Sequence, residues 1–220
     1  MNNATPLPAR PIRLHRFLLS GHSHRAELFL SLLGLPFERV EVDLVQGAQK
    51  RPEFLALNAF GKVPVIEDGD EVVADSHAIL VYLALRYDPA RRWLPAEPAA
   101  AAQVQRWLAL SAGPLVNGAA HVRWNTLTGK PVAPLALETA QDLAARMDQH
   151  LSGRDWLVDE HPTIADIALY TYTAHVPEGG VSLEPWPAVR AWLARLEALP
   201  GFVDMPRGEA LQAAVRAALR

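Results

Sequence analysis

Asn58-Ala59-Phe60-Gly61-Lys62-Val63-Pro64-Val65-Ile66, then Glu67-Asp68-Gly69-Asp70, then Glu71-Val72-Val73-Ala74-Asp75-Ser76-His77-Ala78-Ile79 is the stretch that decides the fold. Lys62–Ile66 and Glu71–Ala74 have strand character, and the acidic, glycine-containing segment between them is a hairpin turn. Ser76 then opens a helix through Arg86, with Ile79, Leu80, Leu83 and Tyr87 on its buried stripe. Pro64 stands where a strand is required, although proline cannot donate to a sheet ladder. Two readings accommodate it: an edge or bulge position, or a cis peptide bond after Val63 that turns Val63's own N–H and C=O outward.

Working upstream, Ile12–Leu19 alternates as a strand and Ser20-Gly21-His22-Ser23 supplies a turn. From His24 the pattern is helical, with Ala26, Phe29, Leu30 and Leu33 on one face, ending at Gly34 before Pro36. Phe37–Asp43 alternates again, and Pro52–Leu57 is a short helix. A right-handed crossover makes the first two strands parallel. The order β-α-β, short α, β-β, α is that of a thioredoxin-like domain over residues 12–87. Downstream, the proline-rich segment 88–98 reads as a linker. Residues 99–220 then read as all-helical, with helices at 99–115, 134–151, 163–172, 187–199 and 209–219.

The chain has 220 residues, half of them hydrophobic, and a net charge of -3. That balance suits a globular protein and offers no basic field for nucleic acid or anionic lipid. The longest mainly apolar run, Leu28–Leu35, is too short to span a bilayer. The segment 1–11 lacks the apolar core of a signal peptide and reads as a disordered leader, so the expected location is cytoplasmic. Without cysteine, the protein has no thiol of its own, and any sulfur chemistry must use the substrate's. His22 and His24 form a His-x-His pair with no obvious third ligand, so no metal is expected.

The segment Asn58–Val65 resembles the signature of the glutathione S-transferases: Asn, a small residue or Pro, an aromatic, Gly, a polar residue, Val and cis-Pro. Asp75-Ser76-His77-Ala78-Ile79 resembles the acidic-Ser-x-Ala-Ile motif that follows it there, and Thr163-Ile164-Ala165-Asp166 extends the likeness. The resemblance covers nearly the whole chain after the leader and points to the serine-type, bacterial members of the phi, zeta, tau and theta-like group. It implies a detoxifying transferase that takes glutathione as co-substrate, joins it to a hydrophobic electrophile and works as a homodimer.

Physical chemistry makes sense of such a site. Val63's backbone would pair, strand-fashion, with the cysteinyl part of the tripeptide, next to Pro64. Ser76, at a helix N-terminus, suits the γ-glutamyl carboxylate, and Asp75 suits the α-amino group. The competing reading of Asp75-Ser76 is a plain N-cap. Gln49, Lys50 and Lys62 are candidates for the glycine carboxylate, with solvated surface lysines the alternative.

A free thiol has a pKa near 8.5, and lowering it by roughly two units requires about 2.7 kcal/mol of preference for the anion. A hydroxyl donor at a helix N-terminus can supply that. The family uses Tyr, Ser or Cys; here Ser20, five residues before Arg25, is the candidate, with Ser23 as runner-up or mere helix cap. His22 is an additional donor or an exposed loop residue, and Arg25 a contributor to the local field or an ion-pair partner. Thr163 and Asp166 form a structural capping box. Trp107, His121, Trp124, Tyr172 and His175 are candidates for the second substrate or, as aromatics at helical spacing, for the core.

Two other roles keep the same framework. One is a glutathione-dependent isomerase or dehalogenase, although Ser-Gly-His replaces the Ser-Ser-Cys common in zeta-like isomerases. The other is a non-catalytic interaction module, which tends to lose the hydroxyl or the acidic-Ser pair that this chain keeps.

Overall fold

The computed structural model describes residues 7–207 and residue 217, so the helix expected at 209–219 lies, but for Ala217, outside the described residues. Of the expected leader, residues 7–11 are described and carry no regular element. The chain forms two compact units, one running to Leu94 and rejoined by Leu199–Pro206, the other beginning at Pro95 and running to Ala198.

The first unit is a four-stranded sheet in the order β2-β1-β3-β4: β1 Ile12–Arg16, β2 Phe37–Glu41, β3 Val65–Asp68 and β4 Glu71–Ala74. β1 and β2 are parallel, with Leu14 opposite Arg39, whereas β3 runs antiparallel to both β1 and β4. Helices α1 (Gly21–Leu32), α2 (Pro52–Leu57) and α3 (Ser76–Tyr87) complete it. This is the thioredoxin-like plan read from the hydrophobic pattern. Asp68 fixes α3 to the hairpin by accepting from the hydroxyls of Tyr82 (2.8 Å) and Tyr87 (2.5 Å).

Two boundaries differ from expectation. β1 stops at Arg16, and α1 begins at Gly21 instead of His24 because Ser20, not Ser23, caps it. Residues 21 and 23–30 are all buried, more than one face of an amphipathic helix provides. Part of the cover comes from 199–206, a stretch expected in the helical domain. The Val203 carbonyl lies 2.8 Å from His24 Nε2, and the Ser31 hydroxyl donates to the Gly201 carbonyl at 2.6 Å. Glu27 of α1, also buried, is paired with Arg16 and with Arg39. The expected linker begins inside this unit: Trp93 packs edge-on against Phe29 with ring centroids 5.1 Å apart.

The second unit is helical: α4 Pro98–Leu110, α5 His121–Thr128, α6 Pro134–Leu151, α7 Ile164–His175 and α8 Pro187–Glu197. Residues 98–128 are helical throughout, which corrects the expected end at Leu115. Ser111–Ala120, which spans the expected helix end at Leu115, is wound as a π-helix. The wider winding absorbs the N–H that Pro114 lacks. Gly118 is required there because a β-carbon would stand 2.7 Å from the Ala140 backbone nitrogen of α6.

Candidate active site

The signature loop is held by its own polar groups. Asn58, buried, donates through Nδ2 to the Lys62 carbonyl at 2.8 Å and accepts from the Phe60 N–H at 3.1 Å. Gly61 has φ of +59°, and a β-carbon there would meet the Gln49 carbonyl at 2.9 Å, so only glycine fits. The Val63–Pro64 bond is cis, as one of the two sequence readings held. Among the described residues, no hydrogen bond engages the Val63 backbone. The Gln49 side-chain oxygen is buried with no hydrogen-bond partner there, while Lys50 and Lys62 are exposed.

Asp75 and Ser76 lie where β4 meets α3. Asp75 caps the helix, its Oδ1 accepting from the N–H groups of His77 (2.8 Å) and Ala78 (3.2 Å). It does so at φ 79°, a positive value that costs a non-glycine residue about 1–3 kcal/mol and concentrates at functional sites. The capping reading of this pair is therefore correct for Asp75, whose Oδ2 is not used in it. Ser76, 2 % exposed, has a different environment: Arg25 Nη1 donates to its hydroxyl oxygen at 2.9 Å, and His22 Nδ1 lies 3.3 Å away.

That environment contains what the sequence reading underweighted. Arg25 is completely buried on α1, and its Nη1 also lies 3.1 Å from His22 Nδ1 and 3.1 Å from His77 Nε2. A guanidinium only donates, so both ring nitrogens facing it carry lone pairs. Burial, then the Arg25 charge, then His77 and Lys62 lower the His22 pKa to about 3. Burial and Arg25 lower that of His77 to about 4, with Asp75 opposing. The i, i+3 spacing of His22 and Arg25 on one helix, with His77 beside Ser76, was the available signal.

These two neutral histidines predict acid lability. In the unfolded chain each takes up a proton near pH 6.5, but in the folded protein only near pH 3–4, so the unfolded state binds more protons as pH falls below 6.5. Stability is then lost at up to about 1.4 kcal/mol per pH unit for each histidine. Urea unfolding at pH 7.0 and 5.0 should show the loss, and His77→Asn should make it shallower; equal stability at both values would refute the neutral pair.

On the first loop, Ser20 sits half-buried at the N-cap of α1, where its oxygen accepts from the Ser23 N–H at 3.3 Å. That cap uses a lone pair and leaves the hydroxyl hydrogen to donate. Ser23, the runner-up, is 1 % exposed, and its oxygen accepts from the Phe17 N–H at 3.2 Å. Ser20, not Ser23, is thus the cap of α1, and Ser23 ties the helix start to Phe17, just after β1.

The second-substrate candidates separate. Trp107 is buried, with its indole N–H donating to the Leu157 carbonyl at 3.1 Å, and His175 is buried with Nδ1 3.1 Å from Glu178. Both are buried, as the core alternative held for these residues, and Tyr172 is 7 % exposed. His121 lies beside Asn125 and lines a cavity of about 420 Å³ with Gly113, Pro114 and Leu135, and Trp124 is half-buried. Thr163 and Asp166 form the expected capping box.

Comparison with known proteins agrees with this geometry. Residues 19–86 match the glutathione S-transferase N-terminal domain and residues 117–200 the C-terminal domain. The chain is 34% identical over 203 residues to glutathione S-transferase 3 of Zea mays, covering 87% of this chain and 91% of that one. It is 34% identical over 194 residues to glutathione S-transferase theta-2 of Homo sapiens, covering 84% and 80%. A possible glutathione S-transferase from Rhodopseudomonas palustris superposes with a TM-score of 0.81 at 32% identity, over 91% of this chain and 100% of that one. A signature loop, a buried Ser76 at a helix start and likeness along both units lead to one assignment: the chain belongs to the glutathione S-transferase family.

Proposed function

We propose that this transferase binds glutathione on the Val63 backbone, Asp75 and Ser76, and that Ser20 donates its hydroxyl hydrogen to the sulfur. The observation that carries the reading is the buried Ser76 hydroxyl beside the Arg25 charge, at the N-terminus of the twelve-residue α3. A carboxylate placed there gains the helix dipole, the hydroxyl and the field of a buried cation. Asp75 Oδ2 then accepts from the α-amino group. Gln49 and Lys50 take the glycine carboxylate together with Lys62, whose charge already acts on His22.

In the reaction, the glutathione thiol loses its proton to solvent and the thiolate is held by Ser20 at the N-terminus of α1. The sulfur lone pair forms a carbon–sulfur bond to the electrophile. With an aryl halide, the carbon–halogen bond breaks and the halide leaves with its electron pair. His121 and Trp124 are the remaining contacts proposed for the hydrophobic electrophile. A homodimer in the cytoplasm is proposed with this reading, which requires no metal. Among the described residues no helix is long and apolar enough to cross a membrane.

Retention on immobilised glutathione together with turnover of a chromogenic aryl halide tests the proposal. Retention without turnover of any electrophile would favour the binding module. Absence of both retention and calorimetric heat with glutathione would remove the function.

A further inference from the structure

Three acceptors crowd one nitrogen at the heart of the site. Arg25 Nη1 carries two hydrogens, yet it lies 2.9 Å from the Ser76 oxygen, 3.1 Å from His22 Nδ1 and 3.1 Å from His77 Nε2. Two hydrogens satisfy only two of these acceptors. The arrangement closes if Arg25 donates to Ser76 and His77 while the Ser76 hydroxyl donates to His22 Nδ1, 3.3 Å away. When the Ser76 hydrogen turns to an external acceptor, Arg25 can donate to His22 and His77, and the Ser76 oxygen gives up the Arg25 hydrogen. Both buried imidazole nitrogens therefore keep a donor in either arrangement.

We propose that His22 is a positioning residue for glutathione: its Nδ1 receives the Ser76 hydroxyl hydrogen in the free protein and the Arg25 hydrogen once Ser76 turns to the tripeptide's carboxylate. This inference rests on the reading that Ser76 takes the γ-glutamyl carboxylate. Its function requires a lone pair on Nδ1, which places the imidazole proton on Nε2. The neighbours bearing on that ring are Arg25, His77 and Lys62, all of which oppose a charge on it. A hydrocarbon at position 22 would remove the acceptor and fix the Arg25–Ser76 set in one arrangement. An asparagine there would restore an acceptor, Oδ1, at the place of Nδ1.

The test is a kinetic cycle in glutathione with saturating aryl halide, using His22→Leu, His22→Asn, Ser76→Ala and the His22→Leu/Ser76→Ala double variant. Ser76→Ala should raise the glutathione KM by about tenfold, the size expected for a hydrogen bond to a charged group, and His22→Leu by about fivefold. In His22→Leu, kcat should stay within about twofold of the parent, because a residue that only positions the carboxylate acts on binding. His22→Asn should return KM most of the way to that of the parent. Because His22 acts through Ser76, the double variant should be no worse than Ser76→Ala alone.

Additive effects in the double variant, or an asparagine no better than leucine, would overturn the inference while leaving Ser76 as the carboxylate site. An unchanged KM in Ser76→Ala would overturn the underlying reading of the site. Should His22→Leu fail to fold, His22→Ala takes its place in the cycle with the same outcomes.

Discussion

Ser20→Ala is expected to raise the pKa seen in the pH dependence of kcat/KM by about 1.5–2 units, toward the value near 8.5 of a free thiol. At pH 6.5 this removes roughly 25–50-fold of the rate, because the thiolate fraction falls by that factor. Near pH 9 much of the rate returns. Glutathione affinity should change little, since the proposed site assigns the γ-glutamyl end to Asp75 and Ser76 and the cysteinyl backbone to Val63. The substitution also removes the cap bond from the Ser23 N–H at the start of α1. That loss costs about 0.5–2 kcal/mol of stability by itself. Ser20→Asp separates the two effects, because a carboxylate caps a helix as well as serine does but presents a negative charge to the sulfur. It should keep the stability of the parent while raising the thiol pKa at least as far as alanine does. A pH profile identical to the parent's in both variants would remove Ser20 from the chemistry.

Local pattern made most of the first unit readable. The turn at 67–70, the helix stop before Pro36 and the valine-rich strands are decisions taken within a few residues, and β1, β2 and the hairpin follow from them. Whether Pro64 was cis or at an edge depended on the resemblance, because the two alternatives impose the same local sequence. The course of 98–128 was only partly readable: the pattern carries a helix to Leu115, but nothing local shows that it continues through a π-segment to Thr128, where Gly118 packs closely against α6. Likewise, nothing local to 199–206 says that it returns to cover α1.

The site divides along the same line. Asp75, Ser76 and Ser20 could be nominated from the sequence, and their place at a helix start could be read there, because sequence and geometry are closely coupled at such positions. Arg25, His22 and His77 could be named but not assembled. Their meeting around one hydroxyl depends on how α1 and α3 cross, a property that no short window contains. Trp107 and His175 show why residue type alone leaves two readings open. Residue types suited to a substrate also suit a core, and here the carbonyl of Leu157 and the carboxylate of Glu178 favour the core.

Asp166→Ala is expected to destabilise the protein by on the order of 4 kcal/mol, without a direct effect on thiol activation. Its carboxylate, completely buried, accepts four hydrogen bonds from three parts of the second unit. Oδ1 takes the N–H of Leu157 at 3.0 Å and the indole N–H of Trp192 at 2.9 Å. Oδ2 takes the N–H of Thr163 at 2.8 Å and its hydroxyl at 3.2 Å. Alanine would strand the three N–H donors in the interior, at about 1–3 kcal/mol apiece before relaxation, against a total stability of about 5–15 kcal/mol. Trp192→Phe is the informative contrast. It removes one donor but leaves the carboxylate three others, so its loss should be nearer 1 kcal/mol plus whatever repacking the smaller ring needs. Burial raises the Asp166 pKa with all four hydrogen bonds opposing, so its protonation does not account for the acid lability assigned to His22 and His77. Urea unfolding followed by tryptophan fluorescence measures both variants. Equal losses would mean that the Trp192 bond carries the whole effect and that the bonds from Leu157 and Thr163 add nothing, so that the carboxylate is not the hub.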